Sequence, residues 1–170
     1  NLAKPEADTT LLDPFCGTGV VLQEATLMGL RPYGTDLEPR MIEYSEKNLD
    51  YLGKEQTHNL AVGDATSYQW DSFDTIAGET YLGRPFSATP KPEVLREVMQ
   101  DVDTIHKKFL RNVTQQTNPG FRMCIAVPAW KTSSGFLHLK ALDSLEELGY
   151  TRVKFVHAAE EDLIYHRKDQ

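Results

Sequence analysis

An apolar strand runs into a glycine-rich turn at Leu11-Leu12-Asp13-Pro14-Phe15-Cys16-Gly17-Thr18-Gly19, and a helical pattern follows over residues 20–30. Glycine lets the backbone of such a turn approach a ligand closely, and the free N–H groups at the start of the helix face the same place. In open α/β sheets, ligands bind outside the carboxyl ends of the strands, where the strand order reverses. The stretch therefore predicts a nucleotide-like cofactor at the end of the first strand.

The turn matches neither of two common phosphate-binding patterns. The dinucleotide fingerprint needs a third glycine where this chain has Leu22, and a phosphate loop needs a Gly-Lys-Ser/Thr ending that is missing here. Asp13 stands in front of the turn, and a carboxylate repels pyrophosphate but attracts a cation. S-adenosylmethionine carries a sulfonium and an ammonium group and no phosphate. The chemistry favours S-adenosylmethionine over NAD.

Two further acids stand at the ends of the next two predicted strands. Asp36 ends a strand over residues 31–36, and Asp64 follows a strand over residues 59–63. A carboxylate at Asp36 can accept both ribose hydroxyls, and one at Asp64 can accept the amino hydrogen of adenine. Aspartate is also a favoured helix N-cap, so each acid alone is equally compatible with capping. The three acids together indicate a cofactor site.

Predicted strands and helices alternate along nearly the whole chain. Strands are predicted at residues 9–13, 31–36, 59–63, 73–78 and 121–127, and helices at residues 20–30, from Pro39 onward, and at residues 91–116 and 134–148. Two closing strands are predicted at residues 152–158 and 163–167, with a connection too short for a parallel crossover. The pattern predicts an α/β fold with a mostly parallel, Rossmann-like sheet, helices on both faces and an antiparallel C-terminal strand pair. With no repeat or linker, we expect residues 1–170 to form one domain.

Composition limits the partners of the chain. Among 170 residues there are 18 basic and 25 acidic ones, which gives a formal net charge of −7. A free-standing nucleic-acid-binding domain usually carries the opposite charge. If nucleic acid is the substrate, another domain is expected to make most of the contacts that bind it.

Other features of the sequence concern the compartment and metal binding. Cys16 and Cys124 lie in unrelated contexts, which disfavours a disulfide framework and favours a reducing, cytoplasmic compartment. No apolar run approaches a membrane span. The histidines show no ligand spacing and there is no Cys-x-x-Cys pair, so no metal site is predicted. The chain starts at Asn1, almost directly before the first strand, and we expect it to be a fragment of a longer protein.

The turn resembles the first motif of class I S-adenosylmethionine-dependent methyltransferases. The sequence of this turn, followed by Leu22 and Glu24-Ala25, is similar to the corresponding motif of the RNA methylase family, whose methylase domain often follows a THUMP domain. Members of this family methylate N2 of guanosine in tRNA or ribosomal RNA. DNA methylases that act on amino groups have a related motif. The resemblance implies a sheet with an antiparallel last strand, S-adenosylmethionine as cofactor, and RNA as a partner held mainly by a domain outside this chain.

The resemblance also implies which residues bind the cofactor. Asp13, Phe15, Gly17 and Gly19 would surround its methionine part. Asp36 would hold the ribose, and Asp64 with Ala65 the adenine. The full predicted set is Asp13, Pro14, Phe15, Cys16, Gly17, Thr18, Gly19, Asp36, Leu37, Asp64, Ala65 and Glu79.

After the fourth strand, this chain departs from the pattern. Methylases of this kind carry Asp/Asn-Pro-Pro-Tyr/Phe, in which the acid or amide accepts hydrogens of the target amine and the aromatic ring stacks on the base. Here the stretch is Glu79-Thr80-Tyr81-Leu82-Gly83, so both prolines are missing and the tyrosine is shifted by one position. Glu79 and Tyr81 are the candidate catalytic residues. Trp130, after the fifth strand, is equally compatible with a base pocket and with core packing.

Three interpretations follow from this departure. The favoured one is a nucleic-acid amino-methyltransferase with an altered fourth motif, acting on RNA or alternatively on DNA. The second is a small-molecule methyltransferase, and the third is a cofactor-binding module that has lost catalysis. In the catalytic interpretations the methyl group passes directly in line to the substrate, and the protein supplies alignment, desolvation and an acceptor for the proton.

Overall fold

The computed structural model describes residues 3, 5–53, 58–86, 90–132 and 135–153 of the chain. In these residues the strands and helices, in chain order, are β1 (Thr10–Asp13), α1 (Val20–Leu27), β2 (Arg31–Asp36), α2 (Pro39–Tyr51), β3 (Asn59–Val62), β4 (Thr75–Glu79), α3 (Pro92–Gln116), β5 (Met123–Ala126), β6 (Ala129–Thr132) and β7 (Gly135–His138). Two short 3₁₀ helices follow at Lys140–Ser144 and Glu146–Leu148. None of the helices in these described stretches has both the length and the hydropathy needed to span a bilayer.

Strands β1 to β5 form one parallel sheet in the order β3-β2-β1-β4-β5. The chain first runs outward from β1 through β2 to β3, and then returns to β4 on the other side of β1. The strand order therefore reverses between β1 and β4. The carboxyl ends of both strands, at Asp13 and Glu79, flank this point, which is where ligands bind in open α/β sheets.

Helices cover both faces of the sheet because adjacent residues of a strand point to opposite sides. Leu12 and Ile76 are fully buried on one face, in a cluster that includes Phe109 of α3. Leu11 faces the other way and packs against Ala25 of α1. The apolar stripe of α3 thus closes one half of the core, and α1 closes the other.

The predicted fold class is confirmed, and the five parallel strands lie where the sequence predicts them. Their ends differ from the prediction by at most two residues, and α3 begins one residue later than expected. Pro39 is the first residue of α2, as expected from the fixed φ angle of proline at a helix start.

The predicted helix over residues 134–148 is wrong. Its first part is strand β7, which pairs with β6 in an antiparallel hairpin, and its second part is the two 3₁₀ helices. The leucines of this second part recur every third residue, which is the period of a 3₁₀ helix rather than an α-helix. They are Leu139, Leu142, Leu145 and Leu148.

The predicted closing strands at residues 152–158 and 163–167 lie outside the described residues, except for the first two. The antiparallel pair that the structure describes is formed instead by β6 and β7, immediately after β5.

Candidate active site at the carboxyl edge of the sheet

The glycine turn, residues 14–19, connects β1 to α1 across the carboxyl edge of the sheet. Gly19 caps α1 with a φ angle of +80°, and a Cβ atom there would lie 2.8 Å from Oγ of Ser45. A side chain at this position would combine backbone strain with a clash against α2, so glycine is required. The turn is therefore packed directly on α2, and its backbone remains open on the other side.

Three of the hydrogen bonds made by the glycine turn tie it to β2 and α2. The amide of Cys16 donates to the carbonyl of Thr35 at 2.9 Å, which ties the turn to β2. The hydroxyl of Ser45 donates to the carbonyl of Gly17 at 2.9 Å. The side-chain amide of Asn48 donates to the carbonyl of Thr18, also at 2.9 Å. Both α2 side chains were missed by sequence reasoning, because a serine and an asparagine inside a helix carry no motif.

Asp13 is a buried carboxylate at the point where the strand order reverses. Only 2% of its surface is exposed, and its Oδ1 accepts a hydrogen bond from the amide of Phe15 at 3.1 Å. It lies directly against Gly78 of β4, where a Cβ atom would come within 2.4 Å of Oδ1. Burial raises the pKa of Asp13 to about 7. The hydrogen bond from the Phe15 amide lowers this pKa, and the nearby charges of Asp36 and Glu79 raise it further. A cation beside Asp13 would relieve this cost.

Asp36, at the end of β2, is bound to the glycine turn. Its Oδ2 accepts a hydrogen bond from the amide of Gly17 at 2.9 Å, and its Oδ1 accepts one from the amide of Glu38 at 2.9 Å. Each carboxylate oxygen has two lone pairs, so both can accept a further hydrogen bond. Asp36 is thus oriented by the backbone and still able to bind hydroxyl groups.

Asp64 and Ala65 follow β3 at the same edge. Oδ1 of the exposed Asp64 accepts a hydrogen bond from the amide of Thr66 at 2.8 Å. Ala65 is buried, and its carbonyl accepts a hydrogen bond from the side chain of Asn112 in α3 at 3.1 Å. Leu37, which follows β2, is 71% exposed. These residues form the outer end of the candidate site.

The three strand-end acids share one local arrangement. Asp13, Asp36 and Asp64 each accept a hydrogen bond from the amide two residues further along the chain. These bonds form local turns rather than helix caps, because Gly19 caps α1 and Glu38 caps α2, both without a side-chain cap bond. The turn bond uses one oxygen of each carboxylate, so it is compatible with the cofactor role.

Phe15 and Cys16 face inward from the glycine turn. The ring of Phe15 makes an edge contact with Phe109 of α3, with 5.1 Å between the ring centroids. Cys16 is buried, and this burial raises its thiol pKa to about 12. A thiol with so high a pKa does not form the thiolate that a nucleophile needs. Cys16 is a packing residue of the turn.

The segment after β4 brings the candidate catalytic residues to the same edge. Glu79 ends β4 and is exposed, and Tyr81 is 40% exposed. Thr80 between them is buried, with its hydroxyl oxygen 2.6 Å from Nε2 of His106. Sequence reasoning predicted no role for His106, which lies on the apolar side of α3 without a ligand-like spacing.

Trp130 has the simpler of its two expected roles. Trp130 packs against the apolar cluster that includes Val98 of α3, so it serves as cover for the core. Lys107, one of the cations on α3, forms an ion pair with Asp103 at 2.8 Å. In the described parts of the chain, no three His, Cys, Asp or Glu side chains gather in a way that could hold a metal ion.

Two cavities in the described part of the chain lie away from this edge. One, of about 210 Å³, lies between α1 and the sheet and is lined by apolar side chains such as Val21 and Ala77. The other, of about 320 Å³, lies at the amino ends of the strands near Thr9 and Asp74.

Several solved structures share this fold. TrmN from Thermus thermophilus superimposes with a TM-score of 0.60 at 21% identity, over 74% of this chain and 35% of that chain. A TehB-like S-adenosylmethionine-dependent methyltransferase from Corynebacterium glutamicum gives a TM-score of 0.56 at 20% identity, over 86% of this chain and 67% of that chain. At this level of identity, the likeness shows the shared fold.

Sequence relatives are more specific. A tRNA (guanine(10)-N2)-dimethyltransferase from Pyrococcus abyssi is 32% identical over 148 residues, which cover 85% of this chain and 39% of that protein. One of the same name from Methanothermobacter thermautotrophicus is 30% identical over 129 residues, covering 75% of this chain and 35% of that protein. The chain thus spans less than two fifths of the length of these relatives.

The family comparison covers nearly the whole chain. Residues 1–155 match the model of the UPF0020 family, described as an RMKL-like methyltransferase domain. This match includes the glycine turn, the strand-end acids and the segment after β4. The chain belongs to the UPF0020 family of RMKL-like methyltransferase domains.

Proposed function

We propose that the protein containing this chain transfers methyl groups from S-adenosylmethionine to the exocyclic N2 of a guanosine in tRNA. The observation that carries the proposal is the convergence of Asp13, Asp36 and Glu79 around the glycine turn, where the strand order reverses. The two relatives named as tRNA (guanine(10)-N2)-dimethyltransferases support the substrate.

The residues of the glycine turn fit this cofactor. S-adenosylmethionine supplies an electrophilic methyl group on a sulfonium centre. Asp13 provides a buried carboxyl group whose ionised form a cationic ligand would stabilise, and the missing side chain of Gly17 leaves space beside the backbone of the turn. Asp36 would accept the ribose hydroxyls with its remaining lone pairs. Asp64 and Ala65, together with Leu37, would hold the adenine.

Glu79 is the residue best placed to act on the amine. Its exposed carboxylate can accept a hydrogen bond from the N2 amino group and so orient the nitrogen lone pair. When the new N–C bond forms, the same carboxylate can accept the proton that the nitrogen loses. Tyr81, one residue beyond the buried Thr80, presents its ring on the same side of the chain, where a base could stack on it.

The proposal places most of the RNA contacts outside this chain. Phosphate contacts dominate RNA affinity, and a formal net charge of −7 is unfavourable for making them. We propose that residues 1–170 act as a single catalytic domain, and that another domain of the same protein binds the tRNA.

The test uses the full-length protein and tRNA transcripts that differ in one amino group. Cofactor binding is measured by calorimetry, and transfer of a labelled methyl group is measured with a guanosine-10 transcript. The matched control is an inosine-10 transcript, because inosine lacks only the N2 amino group. We expect labelling of the guanosine transcript alone.

Other outcomes would overturn parts of the proposal. Equal labelling of both transcripts would place the methyl group elsewhere in the RNA. Labelling of DNA instead would indicate a DNA amino-methylase, and labelling of neither polymer despite cofactor binding would favour a small-molecule substrate or a module without catalysis. Absence of cofactor binding would contradict the proposed site itself.

A further inference from the structure

Thr80 separates the two candidate catalytic residues and points the opposite way. Glu79 and Tyr81 are exposed, whereas only 4% of the surface of Thr80 is exposed. In an extended chain, successive side chains point to opposite sides. Whatever fixes Thr80 on the inner side therefore directs Glu79 and Tyr81 to the outer side.

Thr80 is fixed to two neighbouring elements. Its amide donates to the carbonyl of Ala126, at the end of β5, at 2.9 Å. Its hydroxyl group lies 2.9 Å from the same carbonyl and 2.6 Å from Nε2 of His106 in α3. A proline at position 80, as in the Asp/Asn-Pro-Pro-Tyr/Phe pattern, could make none of these three contacts, because it has no N–H and no hydroxyl group.

His106 is held rigidly for this contact. Only 1% of its surface is exposed, and burial lowers its pKa, which favours the neutral ring. Nδ1 lies 2.7 Å from the carbonyl of Val102 and must carry the ring proton, because a carbonyl only accepts. Nε2 is then an acceptor, so the single proton of the Thr80 hydroxyl group has two acceptors within reach, Nε2 of His106 and the carbonyl of Ala126.

A second contact fixes the far end of the same segment on α3. Gly83 has a φ angle of +92°, and a Cβ atom there would lie 3.0 Å from Cγ1 of Val98 and 3.1 Å from Cγ2 of Val102. The segment is thus attached to α3 at Thr80 and again at Gly83. Tyr81 and Leu82 between these points are exposed.

We infer that Thr80 and His106 are positioning residues, which hold Glu79 and Tyr81 in the orientation that methyl transfer requires. The inference rests on the proposed function, because it assigns the orientation of a segment that the proposal makes catalytic. In this chain the hydrogen bonds of Thr80 replace the stiffness that two consecutive prolines would give to the backbone.

The test compares two substitutions of the same residue. Thr80→Val keeps the shape and the amide but removes the hydroxyl group, and Thr80→Ser keeps the hydroxyl group. We expect T80V to lower kcat for the guanosine-10 transcript about tenfold, equivalent to about 1.4 kcal/mol in the barrier. T80S should keep at least about half of the wild-type kcat, with the dissociation constant of S-adenosylmethionine within about twofold in both. Equal kcat values in T80V and T80S would overturn the inference.

A second pair of variants tests the histidine. His106→Gln retains an acceptor near the position of Nε2, whereas His106→Leu removes it. We expect H106Q to retain more transfer activity than H106L at equal cofactor affinity. The opposite order would count against the inference, and this pair remains informative if T80V does not fold.

Hydrogen exchange separates failure of this inference from failure of the proposed function. Wild-type protein that leaves guanosine-10 unlabelled would contradict the proposed function alone. The positioning role is then decided by the amides of residues 80–83. Faster exchange of these amides in T80V than in T80S supports it, and equal exchange overturns it.

Discussion

The two sides of the candidate site differ in whether short-range contacts accompany the long-range ones that hold both of them, such as Ser45 with Gly17 and His106 with Thr80. On the turn side, β1 to β3, each strand-end acid binds the amide two residues ahead, as Asp13 binds Phe15. On the α3 side, β4 to β7, the contacts of Thr80 reach 26 positions to His106 and 46 positions to Ala126. The short-range bonds of the turn side lie within one stretch of sequence and can be recognised there, whereas the partners of Thr80 cannot be recognised from the residues around it.

The largest expected effect is the pH dependence of stability due to Asp13, on the turn side. Its folded-state pKa of about 7 lies above the ordinary value of 3.8. Between these values the folded protein binds more protons than the unfolded chain, so the free energy of unfolding falls as the pH rises. At about 1.4 kcal/mol per pKa unit, the effect is at most about 4 kcal/mol. We expect Asp13→Asn to remove it, as measured by urea denaturation at pH 4.5 and pH 8.

The control is Asp64→Asn, which removes an exposed acid with the same local hydrogen bond. The stability of D13N relative to wild type should increase with pH, whereas that of D64N should change little. Binding of a cationic cofactor favours the ionised form of Asp13, so wild-type affinity should rise on the order of tenfold between pH 5.5 and 7.5, and D13N should lack this rise. Identical pH profiles of wild type and D13N would show that Asp13 does not titrate in this range.

The second prediction concerns the junction between the two sides. In Gly78→Ala the new methyl group would lie 2.4 Å from Oδ1 of Asp13. Overpacking of this kind costs about 1–3 kcal/mol. We expect G78A to lower the free energy of unfolding by that amount and to weaken cofactor binding, because the carboxylate is displaced.

A double-mutant cycle isolates this contact. Asp13→Ala removes the atoms with which the new methyl group collides, so the double variant should cost less than the sum of the two single variants. Strictly additive costs in urea denaturation would contradict the direct packing of Asp13 on Gly78.

The third prediction tests Asp36 as the anchor of the turn side. Asp36→Ala removes the acceptor for the amides of Gly17 and Glu38 and for the proposed ribose hydroxyls. Hydrogen bonds to charged groups contribute about 1.5–3 kcal/mol each, so the affinity for S-adenosylmethionine should fall roughly 10- to 100-fold in calorimetry. Glu43→Ala is the matched control, because it removes an exposed acid of α2 without touching the turn. Similar losses of cofactor affinity in both variants would show that the effect of Asp36→Ala comes from the change in net charge alone.

The same contrast in range explains what could be predicted from the sequence. Asp13, Asp36 and Asp64 were found because a strand pattern, an acid and a turn follow one another within a few residues. The parallel sheet followed from the alternation of strand and helix patterns. The fold class therefore needed only local signals. The candidate site needed, in addition, the rule that ligands bind at the carboxyl edge of the sheet.

The parts that sequence reasoning missed depend on distant partners. His106 and Asn112 belong to the apolar side of α3, and nothing near them in the chain shows that one meets Thr80 and the other Ala65. The sequence predicts a helix over residues 134–148 because the leucines at every third residue of its second part resemble the spacing of an amphipathic helix. In the structure, Leu139 packs in one cluster with Val98 and Val102 of α3, which are distant in the chain.

The smallest expected effect concerns Gly83, the second attachment of the α3 side. Gly83→Ala adds a methyl group at a φ angle of +92°, against Val98 and Val102. Gly29→Ala is the matched control, since Gly29 has a φ angle of +78° but no neighbour within 4 Å of the new methyl group. The backbone term common to both is about 1–2 kcal/mol. The difference between the two variants in urea denaturation therefore measures the crowding against α3. We expect G83A to be the less stable by up to about 1 kcal/mol and to be the one that lowers kcat, with cofactor affinity unchanged in both. If G83A and G29A lose stability equally and keep the same kcat, the segment after β4 is held at Thr80 alone.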